Sequence, residues 1–159
     1  MTGRRKGVMA GLAVAVGFLF LGGVWFYYRV VVPNRKFMDL QWYETASAEE
    51  QLRVAHQVLE FPWGNHHDAF LVVLRMGDAR SIPYLLKGLR WQKQTDENKP
   101  AMRCTKSHCL DALKRITGHD AGYNYEDWAR WWAQEGSSLP ADAFPLGANP
   151  RREPSRDGR

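Results

Sequence analysis

Residues 69–89 read "AFLVVLRMGDARSIPYLLKGL", and the way this stretch folds decides the rest of the chain. Ala69 to Met76 is apolar on nearly every helical face, as expected of a helix buried on all sides. Gly77 suits the position just past its C-terminus. Asp78 or Ser81 can cap a second helix, and Pro83 stands early enough in it to be tolerated. Ile82, Leu85, Leu86 and Leu89 then form one stripe at helical spacing. The stretch predicts two helices joined by a tight turn.

The same pattern extends to both sides. Ser47 and Glu50 make an S-x-x-E capping box ahead of Leu52, Ala55 and Leu59. Phe61-Pro62 and Gly64 break that helix, and Asn65 can cap the next, which opens at His66. "QKQTDENKP" (92–100) is polar and predicts a loop, reaching to residue 104. A fourth helix is expected from about Thr105 to Thr117, with Cys109, Leu110, Leu113 and Ile116 inward and Gly118 ending it. Asn124 would cap a last helix, with Glu126 and Asp127 in its first turn, where carboxylates favour the helix dipole. No strand alternation of useful length occurs, so the fold class is all-α. From Gly136 onward, Gly, Pro, Ser and charge dominate, and residues 136–159 read as a disordered tail.

Before the helical module lies "GVMAGLAVAVGFLFLGGVWFYY", residues 7–28, without a charge. As a helix it reaches about 33 Å, enough for a hydrocarbon core of about 30 Å. Arg4, Arg5 and Lys6 precede it. Trp25, Tyr27 and Tyr28 cluster at its far end, where such rings favour the headgroup zone, and Arg29 can snorkel outward. A cleaved signal peptide would have a shorter apolar run followed by small residues. The expected organisation is a basic tail (1–6), a transmembrane anchor helix (7–32) in contact with lipid, a juxtamembrane linker (33–46), a helical module (47–135) and the tail. Basic residues stand on both flanks, and the free amino terminus tips the expected orientation toward N-terminus in the cytoplasm, module outside. Gly7, Gly11 and Ala15 recur every four residues, a spacing through which two anchors could form a homo-oligomer.

The net charge of +5 misleads unless it is divided along the chain. Arg4, Arg5, Lys6, Arg29, Arg35 and Lys36 all flank the apolar run, whereas residues 37–135 carry 12 Lys/Arg against 14 Asp/Glu. A nucleic-acid surface needs clustered positive charge on the folded part, so no nucleic-acid partner is expected.

The combination Gly77-Asp78-x-Arg80, Ile82-Pro83 and Leu85-Leu86 resembles a HEAT repeat of the short kind also found in phycobilisome-lyase-type proteins. A degenerate second unit can be traced through "HCLDALKRITG" (108–118), and "GYNYEDWARWW" (122–132) looks like the terminal element that comes after such repeats. The resemblance spans about residues 47–135. It implies an α-solenoid of antiparallel helix pairs used for protein contacts, with no catalytic residue. It also implies the alternative of a pigment- or cofactor-handling module.

Trp128, Trp131 and Trp132 fall at i, i+3 and i+4 and so share one face of the last helix. Each indole can bury on the order of 200 Å². A stripe of that size is expected to cap the open end of the stack, lying on Leu110, Leu113 and Ile116. An aromatic groove for a peptide or sugar is the competing reading.

The only cysteines are Cys104 and Cys109. Two free thiols, one buried, is the plain reading. A disulfide is open if Thr105 is the N-cap, because Cys104 and Cys109 would then occupy the two staple positions. "CTKSHC" (104–109) also offers His108, and His66-His67 could approach from another helix. Tetrahedral zinc usually takes four ligands with close Cys pairs, and no second pair exists, so no metal site is expected. A solvated helix start is the ordinary account of His66, His67 and Asp68. Asp120, Glu126 and Asp127 have capping explanations, and no phosphate loop, H-E-x-x-H pair or nucleophile elbow occurs. The expected function is therefore a non-catalytic, membrane-anchored scaffold for another protein, without cofactor, or an accessory subunit of a larger membrane complex.

Overall fold

A computed structural model describes residues 2–92 and 100–139, and every regular element among them is helical. The elements are α1 (Thr2–Phe26), a π-helical turn (Tyr27–Val31), α2 (Val32–Lys36), α3 (Leu40–Thr45), α4 (Ala48–Leu59), α5 (His66–Met76), a 3-10 turn (Ala79–Ser81), α6 (Ile82–Trp91), α7 (Pro100–Thr117), α8 (Tyr125–Gln134) and a closing 3-10 turn (Gly136–Ser138).

The first three elements form a continuous stem. Pro33 has no N–H to give to the carbonyl four residues back, and the helical ladder widens just before it: the Val32 N–H donates to Tyr27 O. The stretch Val14–Lys36 is long and apolar enough to cross a membrane, with a mean hydropathy of 1.6 over its most apolar window. Phe18, Leu19, Phe20 and Leu21 are all exposed, and nothing lies within 4 Å of where a side chain on Gly11 would begin. The side chains of Arg4, Arg5 and Lys6 lie outside the described residues.

The stem ends differently from the expected anchor and linker. Val30 is 5% exposed and Pro33 is buried, so the helix is already packed on the module before residue 32. Residues 33–46, expected as a juxtamembrane linker, fold as α2, a short turn and α3. Asp39 Oδ1 caps α3 by accepting from the Trp42 N–H.

Within the module, α5 is the central element. It packs most extensively on α7 and α4, while α6 lies against α7, α4 and α8. The helices joined by the 77–81 turn, α5 and α6, share little backbone contact and meet through side chains: a Cβ on Gly88 would stand 2.7 Å from the Phe70 ring and 3.0 Å from Leu59. One apolar cluster holds Leu59, Phe70, Val73, Leu85, Leu113 and Trp128, among others, all of them fully enclosed.

The caps largely follow local chemistry. Ser47 Oγ accepts from the Glu50 N–H, Asn65 Oδ1 from the Asp68 N–H, and Asp78 Oδ1 from the Arg80 N–H. Ser81 and Asn124 make no side-chain cap. Gly77 ends α5 in extended rather than left-handed backbone. Its lack of a side chain serves close approach, since a Cβ there would stand 2.6 Å from Val73 O. Arg115 of α7 reaches over to donate to Val73 O and Gly77 O, satisfying the last carbonyls of α5. Gly118, at φ +67°, does end α7 in the left-handed region.

Two histidines are held neutral by the packing. His56 stacks on Tyr84 with ring centroids 4.1 Å apart and meets Ser81 Oγ through Nε2. Burial lowers its pKa from 6.5 to about 4, with Asp78 pulling the other way. Burial likewise lowers that of His66.

Gly88→Ala should gain about 1 kcal/mol of helix propensity but force Phe70 and Leu59 apart at a cost of about 1–3 kcal/mol. The expected result is a lower Tm, read by circular dichroism in detergent; a raised Tm would mean that Phe70 moves freely. The lowered His56 pKa gives stability that is complete above about pH 6.5 and lost as pH falls through about 4. Carboxylates held low, such as Glu50 and Asp78, add to the loss only below their own unfolded range. His56→Gln should therefore flatten the Tm profile between about pH 6.5 and 4, and an unchanged profile would remove His56 as its source.

Candidate functional site

Among the described residues, candidate sites lie at the junction of stem and module and on the face shared by the start of α5 and α7.

At the junction, Arg29 Nη2 donates to Glu60 Oε2 at 2.8 Å. Arg29 is therefore not simply snorkelling; it fastens the stem to the end of α4. Trp25 meets Phe61 edge-on at 5.9 Å and Phe26 meets Trp63 at 6.3 Å, while Tyr27 and Tyr28 contact each other. The 61–64 loop thus extends this aromatic group, with Trp63 exposed beside Met38 across a shallow groove. Asn34 Oδ1 accepts from the Asn65 N–H at 2.7 Å, and Lys36 Nζ donates to Glu50 Oε1 at 2.7 Å. Glu60, Phe61, Trp63 and Asn34 are not legible as partners of the anchor, because their spacing carries no sign that the stem folds against this loop.

At the second place, α7 begins at Pro100, so Thr105 lies inside the helix and is not its N-cap. The staple geometry that would allow a Cys104–Cys109 bridge does not arise. Five residues of continuous helix turn the two side chains about 140° apart, and both are free thiols. Of the loop expected over 92–104, residues 93–99 lie outside the described residues. Cys109 is buried, its Sγ–H donates to Leu85 O, and burial pushes its pKa well up. It is an inert core thiol. Cys104 is exposed, with His108 Nε2 at 3.2 Å and His67 Nε2 at 3.8 Å from its Sγ.

The neighbouring His66 is turned away from this group. Its Nε2–H donates to Phe61 O at 2.7 Å, leaving Nδ1 to accept from Gln92 Nε2, so both ring nitrogens are engaged. His67 has the opposite arrangement: Nδ1 donates to Asp68 Oδ1 at 3.0 Å and Nε2 faces Cys104. Asp68 is in turn held by Asn65, both through its backbone N–H and by Nδ2 on Oδ2. The helix start is thus a linked set of polar groups rather than merely solvated.

The tryptophan face is interior. Trp128 is fully buried and its Nε1–H donates to Gly122 O at 2.9 Å; Trp131 is 9% exposed. The two rings meet edge-on at 5.8 Å, and His119 stacks on Trp131 at 4.6 Å. They enter the same cluster as Leu110, Leu113 and Ile116, although among the helices the backbone of α8 lies mainly against α6. Trp132 is half-buried and covers Gly136 with Trp131, so ordered structure continues through Ser138, past the expected start of the tail. Residues 140–159 lie outside the described residues. Asp120 accepts from the Gly122 N–H and pairs with Lys114, and Asp127 pairs with Arg130, as capping and surface roles require.

No family model, curated protein or solved structure matches this chain.

Trp128→Ala should cost about 3–5 kcal/mol and Trp132→Ala much less. Equal, small losses in denaturant melts would show that the stripe does not close the core.

Proposed function

We propose that the protein is a membrane-anchored helical module that acts as a non-catalytic interaction element for another protein. The observation that carries this reading is the junction: an exposed apolar helix is fused to the module by the Arg29–Glu60 ion pair, the Asn34–Asn65 hydrogen bond and two aromatic contacts. Such a connection holds a compact body at a bilayer in one pose, which suits presentation of a surface more than free reach. The pairing of α4 with α5 and of α6 with α7 supports a short HEAT-like stack of two helix pairs, with the 77–81 turn between pairs rather than within one. The aromatic load supports a closed interior, since Trp128 and Trp131 are spent on the core. A partner would meet the exposed helix faces, of which the Lys87–Arg90 side of α6 is one, or the 92–104 segment. In the favoured orientation the N-terminus is cytoplasmic and the module lies outside.

The full-length protein in native membranes should resist alkaline carbonate extraction, and a reporter after residue 159 should read as non-cytoplasmic. Photo-crosslinkers at Lys87 and Arg90 should give discrete protein adducts. Carbonate release would remove the anchor, a cytoplasmic reporter would reverse the orientation, and lipid-only adducts would end the interaction role.

A further inference from the structure

We infer that His67, Cys104 and His108 form a three-ligand site for a thiophilic cation of the zinc type. The three ligand atoms lie within 4.8 Å of one another. With bonds of about 2.3 Å to sulfur and about 2.0–2.1 Å to nitrogen, a tetrahedral ion sets its S and N ligands about 3.6 Å apart. The two S···N distances here, 3.2 and 3.8 Å, bracket that value.

Three features separate this group from a chance meeting of polar side chains. Cys104 and His108 stand at i and i+4 on α7, the spacing that places two ligands on one helical face. His67 comes from α5, the helix that packs most extensively on α7, so the third ligand is delivered by the core of the fold. Its tautomer is also set. Asp68 Oδ1 accepts from the Nδ1–H, which leaves the Nε2 lone pair directed at the cluster, the carboxylate–histidine arrangement typical of metal ligands. One thiolate and two imidazoles suit Zn²⁺ far better than Mg²⁺ or Ca²⁺.

The site is open. Cys104 is exposed and the His67 side chain is 42% exposed, and a cleft of about 280 Å³ lined by Asn65, His67 and Thr105 adjoins it. A fourth coordination position is left for water or a donor from outside, as in open rather than closed zinc sites. As the S–metal bond forms, the Cys104 thiol gives its proton to solvent, so binding releases one proton and strengthens as pH rises. The inference rests on the α5–α7 packing and stands apart from the interaction reading.

The test is titration of reduced full-length protein in detergent with Co²⁺ as a spectroscopic probe. One ion per chain should produce a thiolate-to-cobalt charge-transfer band, and Zn²⁺ should displace it. Cys104→Ser should abolish the band, while Cys109→Ser should keep it. His67→Gln and His108→Gln should weaken binding by at least about tenfold, and Asp68→Asn by about tenfold through loss of positioning. Zn²⁺ should also raise the Tm of the wild type but not of Cys104→Ser. Absence of the band in the wild type, its survival in Cys104→Ser, its resistance to Zn²⁺, or unchanged affinity in both histidine variants would overturn the site.

Discussion

Burial of α5 is the constraint on which the structure depends. A helix with Phe70, Val72 and Val73 fully enclosed needs neighbours on most of its sides, with only the Leu71–Arg75 side left partly open. α4 and α7 supply two walls, and α6 closes a third by presenting Gly88 to the Phe70 ring. The polar backbone groups at the ends of α5 are also satisfied locally. Asn65 serves the first turn and Arg115 the last. Both obligations draw distant segments inward, and both candidate sites are by-products of that demand.

The parts of the fold legible in the sequence are those governed by local rules. The apolar run at 69–76, the caps at Ser47 and Asn65, the left-handed end at Gly118 and the interior indoles all follow from spacing and side-chain type. The start of α7 is hidden, because the polar 92–100 stretch has the composition of a loop while Pro100 is tolerated at the first helical position. Sequence alone divides the stem into anchor plus linker, because hydropathy records apolar character without recording what covers it. Val30 looks the same to such a scale whether lipid or protein lies against it.

The grouping of His67 with Cys104 and His108 is half legible. The C-x₃-H spacing on a helix is present, but it is overlaid by the C-x₄-C spacing of the two cysteines, which points toward a bridge instead. The third ligand depends on how α5 crosses α7, which no local pattern states. The two sites also share members: Asn34 on the stem bonds Asn65, Asn65 holds Asp68, and Asp68 orients His67. A cation at Cys104 would therefore sit at the end of a polar chain that begins at the stem.

The π-helical turn at Tyr27–Val31 has its own geometrical result. A widened turn carries one more residue than the ordinary ladder would, and each residue of helix contributes about 100° of rotation. Everything beyond Val31 is thereby swung around the long axis of the stem relative to a regular continuation. The single surplus residue works as an angular setting for the helical body about the apolar helix that carries it.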